Sequence, residues 1–175
     1  MTRAMKTIRN LAVTAAVLAA YAWLSGGFLT PVGCVMTSME QLGFTPCEIL
    51  REDTVGAERL YVLRSAGGQY AVHSARRGLL FWHAGGGETH MDLEQRRADG
   101  APGVDAWGVR ETYSYALFVR DDDTVDTAAW TDSDGQIYRA CDWTRNCTLV
   151  LAPGQVTWRV LNLYRDGACV FEEAL

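Results

Sequence analysis

Lysine and histidine are scarce in this sequence: Lys6 is the only lysine, and His73, His83 and His90 are the only histidines. A Ser-His-Asp set would have to draw on one of those three imidazoles, and no Gly-x-Ser-x-Gly elbow accompanies them. Ser74 adjoins His73, but neighbouring residues of a strand point to opposite faces, so that pair cannot act directly. Acids are plentiful, yet nothing selects two of them for glycosidic chemistry. No Cys-x-x-Cys spacing occurs, which removes thioredoxin-type redox chemistry, zinc knuckles and Cys-x-x-Cys-His haem attachment from the leading readings. An EF-hand register starting at Asp132 places Ile137 at the obligatory glycine and lacks the terminal glutamate. The acidic runs Asp121-Asp122-Asp123 with Asp126, and Asp132-Ser133-Asp134, therefore read as solvated turns. These exclusions leave no catalytic residues and no cofactor to expect, and the chain reads as a non-enzyme.

Acidic side chains are missing from the first 39 positions, while Arg3, Lys6 and Arg9 precede an uncharged stretch running from Asn10 to Met39. Removing those three cations from the 16 basic residues leaves 13 against 21 acidic ones, a formal charge of −8 for the rest of the chain. Such a balance gives no basic face for nucleic acid. Arginine supplies every cation but Lys6; its planar fork suits carboxylates and interface pairs, though a GC-rich coding sequence yields the same bias.

Leu11 to Leu24 is almost wholly Ala, Val, Leu and aromatic, and 10–32 is long enough for a membrane helix of about 20 apolar residues. Two readings compete. Either the segment is retained as a transmembrane anchor, with the basic flank 1–9 held in the cytoplasm and Tyr21, Trp23 and Phe28 toward the far interface, or it is a signal peptide cleaved at Ala20-Tyr21-Ala22. Retention is the leading expectation. Both send the main domain outside the cytoplasm, into a bacterial periplasm or, after cleavage, into secretion. A lipoprotein reading of Val32-Gly33-Cys34 is weakened by Pro31.

The remaining chain divides into a connector, 33–58, with one short helical turn from Ser38 to Leu42 inside the capping-box spacing Thr37-Ser38-Met39-Glu40, and a β-domain, 59–175. There, short apolar or alternating runs are separated by glycine-bearing turns. Strands are expected near Arg59–Ser65, Gln69–Ala75, Gly78–His83, Glu88–Leu93, Tyr113–Arg120, Thr127–Thr131, Gln136–Cys141, Thr148–Leu151, Val156–Leu163 and Ala168–Glu172. Hairpin turns fall at Ala66-Gly67-Gly68, Arg76-Arg77, Ala84 to Gly87, Asp132 to Gly135 and Tyr164 to Gly167, and Glu94 to Trp107 reads as a long exposed loop. The expected fold is mainly β, a small antiparallel β-sandwich or curved meander behind one N-terminal transmembrane or signal helix.

Three constellations could carry recognition. If Ala84 to Gly87 form a turn, His83 faces Glu88, and Glu88, His90 and Asp92 share one sheet face, a donor set for a divalent metal; the solvent face of any amphipathic hairpin looks the same. An oxidising compartment permits a disulfide between Cys141 and Cys147 across a five-residue loop, and a second between Cys34 and Cys47. Inside that loop Trp143 and Arg145 are of the types enriched in binding hot spots, which makes them the candidate partner contacts.

The leading functional expectation is a non-catalytic single-pass accessory subunit of an integral membrane protein complex, respiratory or photosynthetic for example. Its helix sits in the lipid bilayer and its β-domain packs on the extracytoplasmic face. The alternative is a secreted or tethered binding module for a metal, glycan or small ligand; a third reading is an extracytoplasmic hydrolase.

Overall fold

The computed structural model describes residues 3–25, 27–92, 102–121 and 123–175, and the side chains of 22–25, Cys47 and 86–92 are outside that description. Two helices, α1 (Arg3–Ser25) and α2 (Pro31–Gln41), precede the strands. The strands are β1 (Pro46–Val55), β2 (Glu58–Ser65), β3 (Gln69–Arg77), β4 (Trp82–Asp92), β5 (Gly103–Val109), β6 (Tyr113–Arg120), β7 (Thr127–Asp132), β8 (Ile137–Ala140), β9 (Cys147–Pro153), β10 (Trp158–Arg165) and β11 (Ala168–Ala174). They form three antiparallel sheets, ordered β1-β2-β3-β4, β5-β6-β9 and β11-β10-β7-β8. The first is a simple meander; the other two interleave, because β9 returns to the middle sheet between the two hairpins of the third.

The alternation of side chains fixes how the sheets stack. Leu60 and Val62 of β2, with Tyr70 and Val72 of β3, share a core with Tyr113, Tyr115, Leu117 and Val119 of β6. The intervening residues Ala116 and Phe118 face the other way, onto Ala128, Trp130, Leu161 and Leu163 of the third sheet. The middle sheet is thus covered on both faces, which is why β6 is buried along nearly its whole length. Tyr61, Leu63, Ala71 and Ala75, on the outer face of the first sheet, are closed over by Cys34, Val35, Met39 and Phe44 in and just after α2. The order of layers is helix, sheet, sheet, sheet.

Several boundaries differ from the sequence expectation for identifiable reasons. The helical turn expected at Ser38–Leu42 is the end of an eleven-residue helix whose true N-cap is Thr30, accepting from the Gly33 amide at 3.1 Å, with Pro31 in the first turn. Ser38 lies inside it and its hydroxyl meets buried His73 Nε2 at 2.8 Å, tying α2 to β3. The uncharged stretch 10–32 is not one helix: α1 ends at Ser25, and Phe28 forms a two-bond bridge with Trp82. β1 lies in the segment read as connector, because its charges are absorbed by ion pairs such as Arg64 with Glu48 at 2.6 Å and Arg51 with Asp53 at 2.7 Å.

The turn expected at Ala84 to Gly87 does not exist. The run belongs to β4, which pairs with β3 from Trp82 to Asp92 through two register shifts around Ser74. Gly85 leaves room for the Ser74 side chain: a Cβ there would sit 2.4 Å from Ser74 Oγ. The real hairpin turn is Gly78 to Phe81, closed by Gly78 N–H donating to the Phe81 carbonyl at 2.8 Å. β5 arises within the stretch read as a loop, alternating Val104 and Ala106 inward.

Candidate functional site

One end of the stack opens between the first and middle sheets. β2 begins there at Glu58, β3 ends at Arg77, β4 begins at Trp82, and the β5–β6 turn crosses at Arg110 to Thr112, held by Arg110 N–H donating to the Tyr113 carbonyl at 2.7 Å. The result is a cleft of about 600 Å³ lined by Glu58, Arg76, Arg77, His83, Arg110, Glu111 and Gln155 together with backbone at Gly78, Ala84 and Gly85. Three guanidiniums face two carboxylates, so the cleft is locally cationic in a chain whose net charge is −5.

Its interior is ordered by a few contacts. Tyr113, buried at the start of β6, donates its hydroxyl to Glu58 Oε2 at 2.9 Å. Burial, and secondarily the Glu58 carboxylate, push this phenol far above its ordinary range, so it stays a protonated donor. The Arg110 guanidinium rests 5.6 Å from the Tyr115 ring centroid. Arg76 and Glu111 approach only to 3.9 Å, with both side chains largely in water, a pair of little energetic weight. Gly78 leaves room for the His83 ring, which a Cβ there would meet at 3.0 Å. Donors outnumber acceptors, and the chemistry available is recognition of an anionic group by charge-assisted hydrogen bonds.

No family model, curated protein or solved structure matches this chain.

Of the metal set expected from sequence, His83 lines the cleft, whereas Glu88, His90 and Asp92 have side chains outside the described residues. The arrangement that would have gathered them is absent, since His83 and Glu88 lie along one strand and not across a turn from one another. Among the described residues no group of three potential ligands surrounds a metal position. The acidic turns are structural: Asp132 Oδ1 accepts from the amides of Asp134 and Gln136 at 2.9 and 2.8 Å, an Asx-type turn.

Trp143 is turned inward. It packs on the core between the middle and third sheets, donates Nε1–H to the Asp126 carbonyl at 2.7 Å, and carries the Arg120 guanidinium 4.3 Å above its ring centroid. Arg145 reaches Glu48 at 2.8 Å and the Ile49 carbonyl at 3.0 Å, clasping the loop to β1. Both residues are engaged within the domain.

The cysteine loop is closed without sulfur. Thr144 and Cys147 exchange two backbone hydrogen bonds of 2.9 Å around Arg145 and Asn146, both at positive φ, as in tight type I′ hairpins. Cys147 then points into the core at the start of β9 while Cys141 stays exposed, and the two are free thiols in place of the expected disulfide. Cys34 is free and buried under the first sheet, and its expected partner Cys47 has its side chain outside the described residues. Burial pushes the Cys147 thiol up to about 12 from an ordinary 9.0. A raised pKa means the folded state holds the proton more tightly, so this contribution to stability is complete below pH 9.0 and is lost as the pH climbs toward about 12. At pH 8 an alkylating reagent should modify Cys141 and Cys169 quickly and leave Cys34 and Cys147 untouched until denaturant is added, as read from intact mass and peptide mapping.

The cleft arginines and glutamates escaped the sequence reading because the chemistry is assembled from three hairpin turns and the β9–β10 connection. The one local signal was the doublet Arg76-Arg77 before Gly78, which reads equally well as an ordinary polar turn.

Proposed function

We propose that this protein is a non-catalytic accessory subunit of a larger membrane protein complex, attached to the bilayer by α1, with the β-stack on the extracytoplasmic face. The observation that carries the proposal is the state of α1. Every described side chain from Arg3 to Tyr21 is exposed, even that of Tyr21, which touches Phe81. At 3.6 residues per turn, Met5, Val13, Val17, Tyr21, Leu18, Leu11 and Ile8 succeed one another around the whole circumference. A surface helix of a soluble domain has one apolar stripe; a helix apolar on all sides belongs in a core or in lipid. The basic flank Arg3, Lys6 and Arg9 suits anionic headgroups and a cytoplasmic N-terminus.

Among the described residues no helix is long and apolar enough to cross a membrane. Attachment requires only that this circumference leave water; a complete crossing by α1 is the finer form of the same proposal.

Membranes from cells making the full chain provide the test. The protein should resist a high-salt wash, remain with the membrane fraction, and after gentle solubilisation migrate in an assembly several times its own 19.3 kDa mass. Recovery in the soluble fraction overturns the attachment, and migration as a lone monomer after mild extraction overturns the subunit role. Alkaline carbonate extraction separates a helix that spans from one that lies at the surface.

A further inference from the structure

Outside α1, the three most exposed large apolar side chains of the described residues lie close together. Leu79 and Leu80, at the tip of the β3–β4 turn, are 93% and 58% exposed, and Leu29 is 83% exposed. Leu29 follows Phe28, which is hydrogen-bonded at both ends to Trp82, the residue that starts β4. Tyr21 of α1 touches Phe81 at a ring-centroid distance of 5.8 Å. The turn and the end of α1 thus occupy one corner of the molecule, where Tyr21 and the half-buried Trp82 are of the types that settle at a membrane interface.

The same turn stands on a basic base. Arg76 and Arg77 close β3 immediately before it, and both are exposed at the mouth of the cleft. Two adjacent leucines in water serve nothing within the fold, since the turn is already held by its Gly78–Phe81 hydrogen bond. Two cations beside two apolar side chains match the layered chemistry of a bilayer surface, with phosphate outside and acyl chain inside. In an otherwise acidic domain, this is the corner that an anionic surface would attract.

Resting on the attachment proposed above, we propose that the β3–β4 turn is a second membrane contact beside α1, with Leu79 and Leu80 entering the lipid interface and Arg76 and Arg77 holding anionic lipid headgroups. Two contacts, a helix and a turn, fix the orientation of the stack as well as its distance from the bilayer. A rigid subunit needs both to present one face to a neighbour in the membrane.

The full chain, reconstituted with phosphatidylcholine vesicles with or without phosphatidylglycerol, tests this by sedimentation and by amide hydrogen exchange followed by mass spectrometry. With phosphatidylglycerol present, the peptide spanning 78–82 should be protected in the wild type, and the protection should be lost in Leu79→Ser/Leu80→Ser while the protein still sediments. Arg76→Gln/Arg77→Gln should lower the affinity for the anionic vesicles by about tenfold and leave the weaker binding to pure phosphatidylcholine unchanged. If the wild type sediments but its turn exchanges as fast as in the serine variant, the second contact is overturned and the attachment by α1 stands. Equal anionic affinity in the glutamine variant overturns the headgroup role of the arginines. If the wild type does not sediment, the attachment itself fails and the second contact falls with it. All four side chains are exposed, so the variants are expected to fold.

Discussion

Trp130→Ala is expected to destabilise the domain by about 3–5 kcal/mol, a large part of the stability of an ordinary domain. Trp130 lies in the middle of β7, fully buried, in the core that joins the third sheet to Phe118, Ala116 and Val150 of the middle sheet. Sheets packed face to face stand about 10 Å apart, and the strands on either side are held by their own ladders, so the space left by an indole cannot close by collapse. Neither can its aromatic neighbours move in: Tyr138 and Trp158 are engaged with each other edge to face at 5.2 Å. Part of the loss is offset, because the buried Trp130 Nε1–H has no hydrogen-bond partner. Trp130→Phe should therefore cost much less than the alanine change. Urea titration followed by circular dichroism would measure both, with Trp107→Ala as control: Trp107 is 46% exposed on the outer strand of the middle sheet and should cost under about 1 kcal/mol. Equal midpoints for Trp130→Ala and Trp107→Ala would overturn the stacking of the third sheet on the middle one.

Gly103→Ala should be nearly as damaging, although it adds a single methyl group. A Cβ at this position would stand 2.2 Å from the Val119 carbonyl oxygen, 2.6 Å from Phe118 Cζ and 2.9 Å from Arg120 Cα. Two of those three atoms are backbone of β6, the strand buried on both faces, and the third belongs to a fully buried ring. No flexible side chain is available to yield, so β5 must separate from β6 at the end of its register, where Gly103 pairs with Arg120. Overpacking of this kind costs about 1–3 kcal/mol when side chains can adjust and more when backbone must move. Gly67→Ala is the contrasting case. Its Cβ would meet only Ser65 Oγ, at 3.8 Å and in the ordinary contact range, and thermal unfolding should show little change. A Gly103→Ala protein with the wild-type melting temperature would mean that the β5–β6 edge is looser than its register implies.

Sequence alone was sufficient where the signal is local. The short, mostly apolar run Tyr113–Arg120 locates β6 to the residue, and the glycine-bearing turns at 66–68, 132–135 and 164–167 locate the hairpins around β2, β3, β7, β8, β10 and β11. The mainly antiparallel β class follows from those strands. Local signals misled where a residue type has two uses. Three consecutive glycines read as a turn, yet they lie within β4, where Gly85 makes room for the Ser74 side chain. Charged residues between 48 and 53 read as a connector, yet in β1 they are neutralised by cross-strand partners at Arg64 and Arg59 and by Asp142 from a distant loop.

The cleft was out of reach for a related reason. Arg76, Arg110, Glu58 and Gln155 come from separate turns, and no spacing along the chain announces that they meet. Trp143 and Arg145 were picked by residue type, and only the structure shows what they touch within the domain, here Arg120 and Glu48.

What the sequence by itself determined is the scarcity with which it begins: three histidines, one lysine and no acid before Glu40, with a basic-then-apolar N-terminal segment. These are properties of composition and order, and folding does not alter them. Only the tertiary structure decided that the strands form three layers instead of two, that Cys147 is sealed in the core while Cys141 remains outside, and that Leu79 and Leu80 share a corner with the end of α1. Each of these depends on which faces of distant segments exclude water together, and that choice is made by the summed burial of the whole chain.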